Sequence, residues 1–257
     1  MTQLIHPTAI IGNKVELGSN VMVGPYSVIE NNVQIGDNSK IRNFVTICEN
    51  TQIGKDCDIF HNSSIGEIPQ DLKFEGEQTK TIIGDRAKIR ESVTINRGTK
   101  ALGETRIGDD CLFMAYVHIG HDSIIGNNVI MANMATLGGH VVIDDWVSLG
   151  GGVLVHQFCK IGTHTFIGGG FRAVQDVPPF ILAAKEPLKY QGINKVGLKR
   201  RGFDQESRND IKEIYKLIFR GGLNISQAIL KIKKNIKPSF HKEYILNFIK
   251  NSKRGII

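Results

Sequence analysis

The amino-acid sequence predicts a mainly β protein, a parallel β-helix of hexapeptide repeats over residues 1–184 followed by a small basic α-helical domain over residues 185–257. Three observations predict it. Of the 29 residues from Ile5 to Ala173 whose number leaves remainder five on division by six, 25 are Ile, Val, Leu, Met or Phe. Four places further on, from Ala9 to Thr165, 25 of 27 are Ala, Val, Ser, Thr or Cys. Charge also divides the chain: residues 1–184 hold 14 Lys and Arg against 19 Asp and Glu, whereas residues 185–257 hold 18 against 6. A period of six is neither helical nor a strand alternation. It is the signature of a solenoid whose coils cannot bury their apolar sides alone and must stack.

The elements follow in order. Gly trails the apolar residue in Ile11-Gly12, Ile35-Gly36, Ile125-Gly126 and Ile161-Gly162, where a corner demands backbone angles that a Cβ obstructs. Three hexapeptides make one triangular coil, and nine or ten coils at the ~4.8 Å spacing of paired strands give a prism about 45 Å tall. Each buried Ile or Val contributes on the order of 1.5–3 kcal/mol, so the stack is its own core. Glu67 to Glu77 is polar where the sieve calls for apolar residues, and Thr99 to Glu104 is rich in small ones. Both read as loops thrown from a corner, and solenoid loops gather on the working face. The rhythm stops near Phe171 and passes through Val177-Pro178-Pro179. Asp204 then caps a helix with Ile211, Ile214, Leu217 and Ile218 on one face, Ser226 opens a second helix and Ser239 a third.

Composition narrows the class. At 41% apolar and 7% aromatic, the 257 residues suit a large core with a narrow aliphatic interior. Met1 to His6 lacks a basic region leading into an apolar run, and no segment approaches 18 unbroken apolar residues. A cytoplasmic protein without stable membrane insertion is expected. Cys57, Cys111 and Cys159 fall in the small interior slot and Cys48 at a corner, with no CxxC pair, which predicts packing thiols. The basic domain predicts an acidic or phosphorylated partner. Nucleic acid is not expected, because the cations lack interleaved aromatics and no recognition motif is present.

The histidines carry the chemistry. His121 sits two residues after the inward Ile119, so its side chain points away from the prism axis. Gly139, eighteen residues on, lies one coil above it in Leu137-Gly138-Gly139-His140, and His140 lies one coil above Asp122. An imidazole beneath a glycine N–H has the geometry of a general base beside an oxyanion donor. Zinc is the rival reading, since some hexapeptide solenoids bind metal through three histidines across a subunit boundary. Two of those ligands are five residues apart, a spacing that no histidine pair in residues 118–164 has, and no metal is expected.

Six further segments carry a resemblance: Ile68-Pro69-Gln70-Asp71-Leu72-Lys73, Ile89-Arg90-Glu91-Ser92-Val93-Thr94-Ile95, His118-Ile119-Gly120-His121-Asp122, His156-Gln157-Phe158, Gln175-Asp176-Val177-Pro178-Pro179 and Gly197-Leu198-Lys199-Arg200-Arg201-Gly202-Phe203. In this order, and along nearly its full length, the chain resembles the bacterial UDP-N-acetylglucosamine O-acyltransferases that begin lipid A synthesis. The resemblance implies a left-handed coil, against the usual right-handed parallel crossover. It further implies a homotrimer with sites between prisms, transferring a 3-hydroxyacyl group from acyl carrier protein to the 3-hydroxyl of UDP-N-acetylglucosamine. No cofactor is bound, the donor arriving on the carrier's phosphopantetheine.

By the same resemblance, His121 is the general base, Asp122 orients it, and the Gly139 N–H meets the oxyanion. Gln70, Asp71 and Lys73 match a loop that approaches substrate. His118, His140, His156 and Gln157 match sugar and acyl contacts, and Asn194, Arg200 and Arg201 match the nucleotide end. Gly169 matches the position that limits acyl length, and its missing side chain favours a longer chain. Val196 and Pro187 depart from the family pattern, standing where an acidic residue is often found and a histidine sometimes, which leaves a 3-amino sugar nucleotide open as the acceptor. A coenzyme A dependent acetyltransferase and a sister N-acyltransferase share the coil. The first usually lacks the Lys199-Arg200-Arg201 region, and the second carries an extra N-terminal domain where this repeat begins by Ile5.

Overall fold

In the computed structural model, which describes residues 4–257, the period of six becomes a three-sided prism. Met1 to Gln3, part of the segment read above for a leader, lie outside the described residues. Two-residue strands alternate with tight corners, and each strand pairs in parallel with the strand one coil away, as Ile29 does with Ile47 and Ile47 with Ile65. The walls are sheets of eleven, nine and eight strands. The sieve residues point inward: Ile29, Ile47, Ile65, Ile95, Ile119 and Leu137 are all fully buried in one column. The β-branched isoleucines suit stacked short strands, and the alignment of the column makes the core a set of aliphatic ladders.

Corners need one left-handed residue per turn. Asn20, Asn32, Asn38, Asn50, Asp56 and Asp122 all have φ between 56° and 62°, the region that Asn and Asp tolerate best among residues with a side chain. Both polar stretches do leave the prism, and they leave at the same corner, between the nine- and eight-stranded sheets. Ile65 pairs with Ile95 thirty residues on and Ile95 with Ile119 twenty-four on, against eighteen in the regular coils. Both insertions are whole multiples of six, which is why the sieve keeps its phase through them.

Two expectations need correction. The rhythm of six ends near Phe171 while coiling continues: Ile161 bridges Val177, and Phe166–Ile167 pairs in parallel with Leu182 and Ala183. This last coil is sixteen residues long, so its buried Val177, Ile181 and Ala183 fall out of phase with six. An antiparallel strand, Lys189–Ile193, then folds back on Ile181–Ala184 before any helix begins. Four helices follow: α1 (Lys195–Arg200), α2 (Gln205–Arg220), α3 (Ile225–Asn235) and α4 (Phe240–Asn251). Asp204 and Ser239 cap α2 and α4 as expected, but α3 starts at Asn224, not Ser226. Asn224 and Gln227 form a reciprocal capping box that Ser226, already in the first turn, cannot make. The short α1 was not foreseen; its cap is Asn194.

The helices close the upper coils. Tyr215 of α2 is fully buried and donates its hydroxyl to the Pro179 carbonyl (2.6 Å), while Tyr244 of α4 reaches Asp144 (2.9 Å). Asp176 ties down the chain end, accepting from the Lys160 N–H and the Ser252 hydroxyl while its own backbone bonds Gly255 and Ile257. No helix is long and apolar enough to cross a membrane among the described residues. All four cysteines are buried and unpaired, with burial raising each thiol's pKa to about 11 or 12, which leaves them protonated packing groups.

Candidate active site

The corner between the nine- and eight-stranded sheets gathers most of the predicted residues. His121 follows Gly120, whose missing Cβ is required because the Gly138 backbone lies 2.7 Å from where it would stand. The imidazole turns outward, its side chain 15% exposed, and its Nδ1 meets Asp122 Oδ2 at 2.8 Å. Asp122, in the left-handed turn conformation (φ 57°), is fully buried. An ionised carboxylate there accepts the Nδ1 proton and leaves Nε2 with its lone pair outward. One coil above, an added Cβ on Gly139 would lie 2.6 Å from both Nε2 and Cε1 of His121. The two residues are in contact, as the eighteen-residue coil predicts.

At the turn of the first coil equivalent to that of Gly139, the Asn13 N–H donates to Asn31 Oδ1 one coil on (2.8 Å). Above Gly139 stands Gln157, and among the described residues no acceptor meets the Gly139 N–H. A donor left open beside a base lone pair can receive the oxygen of an attacked carbonyl.

Around this pair stand the other histidines. His140 Nε2 is 3.6 Å from Asp122 Oδ2, its ring is edge-on to His121 (5.1 Å between centroids) and stacked on Phe158 (4.6 Å). Burial lowers its pKa, outweighing the pull of Asp122 and Asp71 toward the charged form. His118 Nδ1 is 2.8 Å from the Thr94 hydroxyl, and burial, with the neighbouring His121, lowers its pKa too. The Asp122 pKa is lowered as well, which for a carboxyl favours the charged form. Burial alone would raise it, but hydrogen bonds from His121 and from Thr99, with the nearby His140, hold it below the usual carboxylate range. His121, Asp122 and His140 place three metal-capable atoms within 4.8 Å of one another. The Asp122 oxygens, however, already accept from His121, from Thr99 twice and from the Leu102 N–H, so the arrangement is one for handling a proton.

Other predicted residues fall at the same corner. His156 and Gln157, exposed, lie one coil above Gly138 and Gly139, with His156 Nδ1 3.1 Å from the Gln157 carbonyl. Gln70 and Lys73 are exposed on the longer loop, where the Asp71 carboxylate accepts from the Lys73 N–H (3.0 Å) and acts on His140. Sequence reasoning missed Thr99, whose amide and hydroxyl both bind Asp122. The sequence placed it only at the start of a loop on the working face, with no partner assigned.

The rest lie elsewhere on the chain. Gly169 is exposed at the corner between the eleven- and nine-stranded sheets, in a double layer of glycines with Gly150, Gly151 and Gly152; a Cβ there would stand 3.0 Å from the Gly151 carbonyl. Asn194, Arg200 and Arg201 lie near the third corner, beside Trp146 and His164. The Asn194 amide is committed at both ends, donating to the His164 carbonyl (2.9 Å) and accepting from the Gly197 N–H. The Arg201 guanidinium lies 4.9 Å over the Trp146 ring. These residues border a cavity of about 920 Å³, floored by Ile130, Ser148 and Phe166 of the eleven-stranded sheet and rimmed by Arg200, Arg201, Lys212, Lys216 and Arg220. Exposed Val196, also on this lining, offers no hydrogen bond to a sugar, and Pro187 is exposed on the turn before it.

Comparison with known proteins bears on both regions. A family model described as UDP N-acetylglucosamine O-acyltransferase, domain 2, matches residues 176–257, and one for the bacterial transferase hexapeptide matches residues 104–139. The acyl-[acyl-carrier-protein]–UDP-N-acetylglucosamine O-acyltransferase of a Janthinobacterium species is 49% identical, with 99% of each chain covered. That of Paraburkholderia phymatum is 46% identical over 98% of each. Among solved structures, the UDP-N-acetylglucosamine acyltransferase of Francisella novicida superposes with a TM-score of 0.96 at 40% identity, covering 99% of this chain and 94% of its own. Such a superposition means the same hand of coiling, the left-handed one.

Proposed function

The chain belongs to the family of acyl-[acyl-carrier-protein]–UDP-N-acetylglucosamine O-acyltransferases, and from that premise we propose how its own residues carry out the transfer. It is an enzyme that moves an acyl group from acyl carrier protein to an oxygen of UDP-N-acetylglucosamine. The acyl group is an (R)-3-hydroxyacyl chain and the acceptor oxygen is the glucosamine 3-hydroxyl. His121 Nε2 takes the hydroxyl proton as that oxygen attacks the thioester carbonyl, and Asp122 holds the Nδ1 proton and stabilises the imidazolium. The Gly139 N–H donates to the carbonyl oxygen as it gains charge. Collapse of the tetrahedral intermediate breaks the C–S bond, and the imidazolium proton passes to the departing phosphopantetheine thiolate. The observation that carries this reading is the contact between Gly139 and His121 Nε2, with Nδ1 held by a buried carboxylate.

The enzyme acts as a homotrimer. Residues matched to base, nucleotide and acyl length occupy three different corners of one prism, so a single chain cannot gather them in one groove. A threefold assembly sets a corner of one prism against a wall of the next, which brings the sets together. Cationic side chains serve the diphosphate, since guanidinium suits its oxygens, and the basic rim of the large cavity suits an acidic carrier protein. The donor's own phosphopantetheine supplies the thioester, no resident cofactor takes part, and the reaction is cytoplasmic. Incubation with UDP-N-acetylglucosamine and a panel of 3-hydroxyacyl carrier proteins, followed by mass spectrometry, tests the assignment. An O-acylated product with a preference for longer chains is expected. Turnover only of a 3-amino sugar nucleotide, or only with coenzyme A thioesters, would overturn it.

A further inference from the structure

Asp122 is held from outside its own coil. The six-residue excursion Thr99–Glu104 returns to the prism just where the carboxylate is buried, and it brings three donors. The Thr99 N–H meets Oδ1 at 3.0 Å, the Leu102 N–H meets Oδ1 at 3.2 Å, and the Thr99 hydroxyl meets Oδ2 at 2.7 Å. Oδ2 is also the oxygen that His121 Nδ1 reaches. An Asp carboxylate has two rotations left once its Cβ is placed, about Cα–Cβ and about Cβ–Cγ, and two donors from one residue, one on each oxygen, fix the second of them. Thr99 is itself buried, and its hydroxyl also receives the Ala101 N–H (3.2 Å), which aims the hydroxyl hydrogen away from the strap and at Asp122. The strap is fastened in turn to the longer loop. The Thr79 hydroxyl donates to the Gly98 carbonyl, Asn96 Nδ2 to the Ile68 carbonyl, and the Lys100 N–H to the Glu77 carboxylate.

We propose that Thr99 is a positioning residue of the acyl transfer: its hydroxyl and amide fix the Asp122 carboxylate in the one orientation that keeps the His121 proton on Nδ1 and the lone pair of Nε2 toward the acceptor hydroxyl. The proposal rests on the reading of His121 as general base. Thr99 touches neither substrate nor reacting atoms; it acts through Asp122. The charged and titratable groups around the pair are His118 from the strand just before His121, His140 from the coil above and Asp71 from the longer loop. None of them bonds the carboxylate as Thr99 does.

The test compares Thr99→Val, Thr99→Ser and His121→Ala in the full-length enzyme, by kcat, KM and the pH profile of kcat/KM. Thr99→Val keeps shape and amide but removes the hydroxyl donor. It is expected to lower kcat about 10- to 100-fold, the effect of one hydrogen bond to a charged group, with KM changed less than about twofold. The acid limb of the profile should move to higher pH, because a less neutralised carboxylate holds the imidazolium proton more tightly. Thr99→Ser should restore most of kcat and the wild-type limb. Wild-type kcat and an unmoved limb in Thr99→Val, with His121→Ala inactive, would overturn the positioning role and leave the base standing. An equal fall in Val and Ser variants with an unmoved limb would make Thr99 merely structural and overturn it too. An active His121→Ala would remove the premise and the proposal together.

Discussion

Gly139→Ala isolates the contact on which the mechanism turns. Gly139 does not have the positive φ that would strain an alanine, so the substitution acts through its one added carbon. That carbon would lie 2.6 Å from both Nε2 and Cε1 of His121 and 3.2 Å from Cδ2. Ordinary contact begins at 3.4 Å, so the ring must retreat by roughly 0.8 Å, the difference of 3.4 and 2.6. It cannot do so freely: Nδ1 is bound to a buried carboxylate at 2.8 Å and the ring edge packs on His140. A displacement near 1 Å of a reacting group costs on the order of 10²-fold in rate, and the methyl also crowds the oxygen that the N–H would receive. The expected result is a fall in kcat of about 10²-fold or more, measured by steady-state transfer to UDP-N-acetylglucosamine, with thermal unfolding within a few degrees of wild type. A variant that turns over within threefold of wild type would refute the placement of Nε2 beneath Gly139.

Further outcomes follow from other parts of the chain. Burial, helped by the Arg201 charge, lowers the His164 pKa to about 4, and its buried Nδ1 has no hydrogen-bond partner among the described residues. The unfolded chain therefore takes up that proton first. Stability is full above pH 6.5, the ordinary value, and falls as the pH drops toward 4. His164→Phe, which extends the stack of Trp146 and Phe180, should flatten that part of a melting-temperature profile, and an unchanged slope would count against it. Asp176→Ala strands the Lys160 amide and Ser252 hydroxyl and should cost about 2–4 kcal/mol in denaturant unfolding; a loss below about 0.5 kcal/mol would mean that the chain end is not anchored there. The basic cavity rim predicts that the KM for acyl carrier protein rises several-fold between about 0.05 and 0.5 M salt, because exposed charges are screened. A KM independent of ionic strength would remove the rim from carrier docking.

How much of this was legible in the sequence depends on whether a feature shared the period of six. The stacking of Gly139 on His121 and of His140 on Asp122 followed from counting eighteen residues, because both coils are regular. Even the two loops were visible, the longer because Asp71 and Glu77 break the sieve and the shorter from its small residues, and neither shifts the phase. The coil that ends in Ile181–Ala184 was not, because sixteen residues put its buried side chains out of register. Asn224 was passed over for Ser226 because both are good cap residues, and only the reach of Gln227 back to the Asn224 backbone separates them. Thr99 was hidden more deeply. Its grip on Asp122 depends on where a loop returns, which no local pattern records. Asn194 shows the converse: the resemblance matched it to the nucleotide end, and the fold adds that its amide also caps α1 and holds the His164 carbonyl.

The most direct test of the central claim is the rate of His121→Ala in single-turnover transfer from a 3-hydroxyacyl carrier protein to UDP-N-acetylglucosamine, alongside wild type. Loss of a general base costs about 10²–10⁴ in rate, and because the imidazole lies outside the aliphatic core, the variant should fold, unfold and assemble as wild type does. That fall with an intact assembly is the predicted result. Transfer within tenfold of wild type by the folded variant would contradict it, and would move the base away from this corner of the prism.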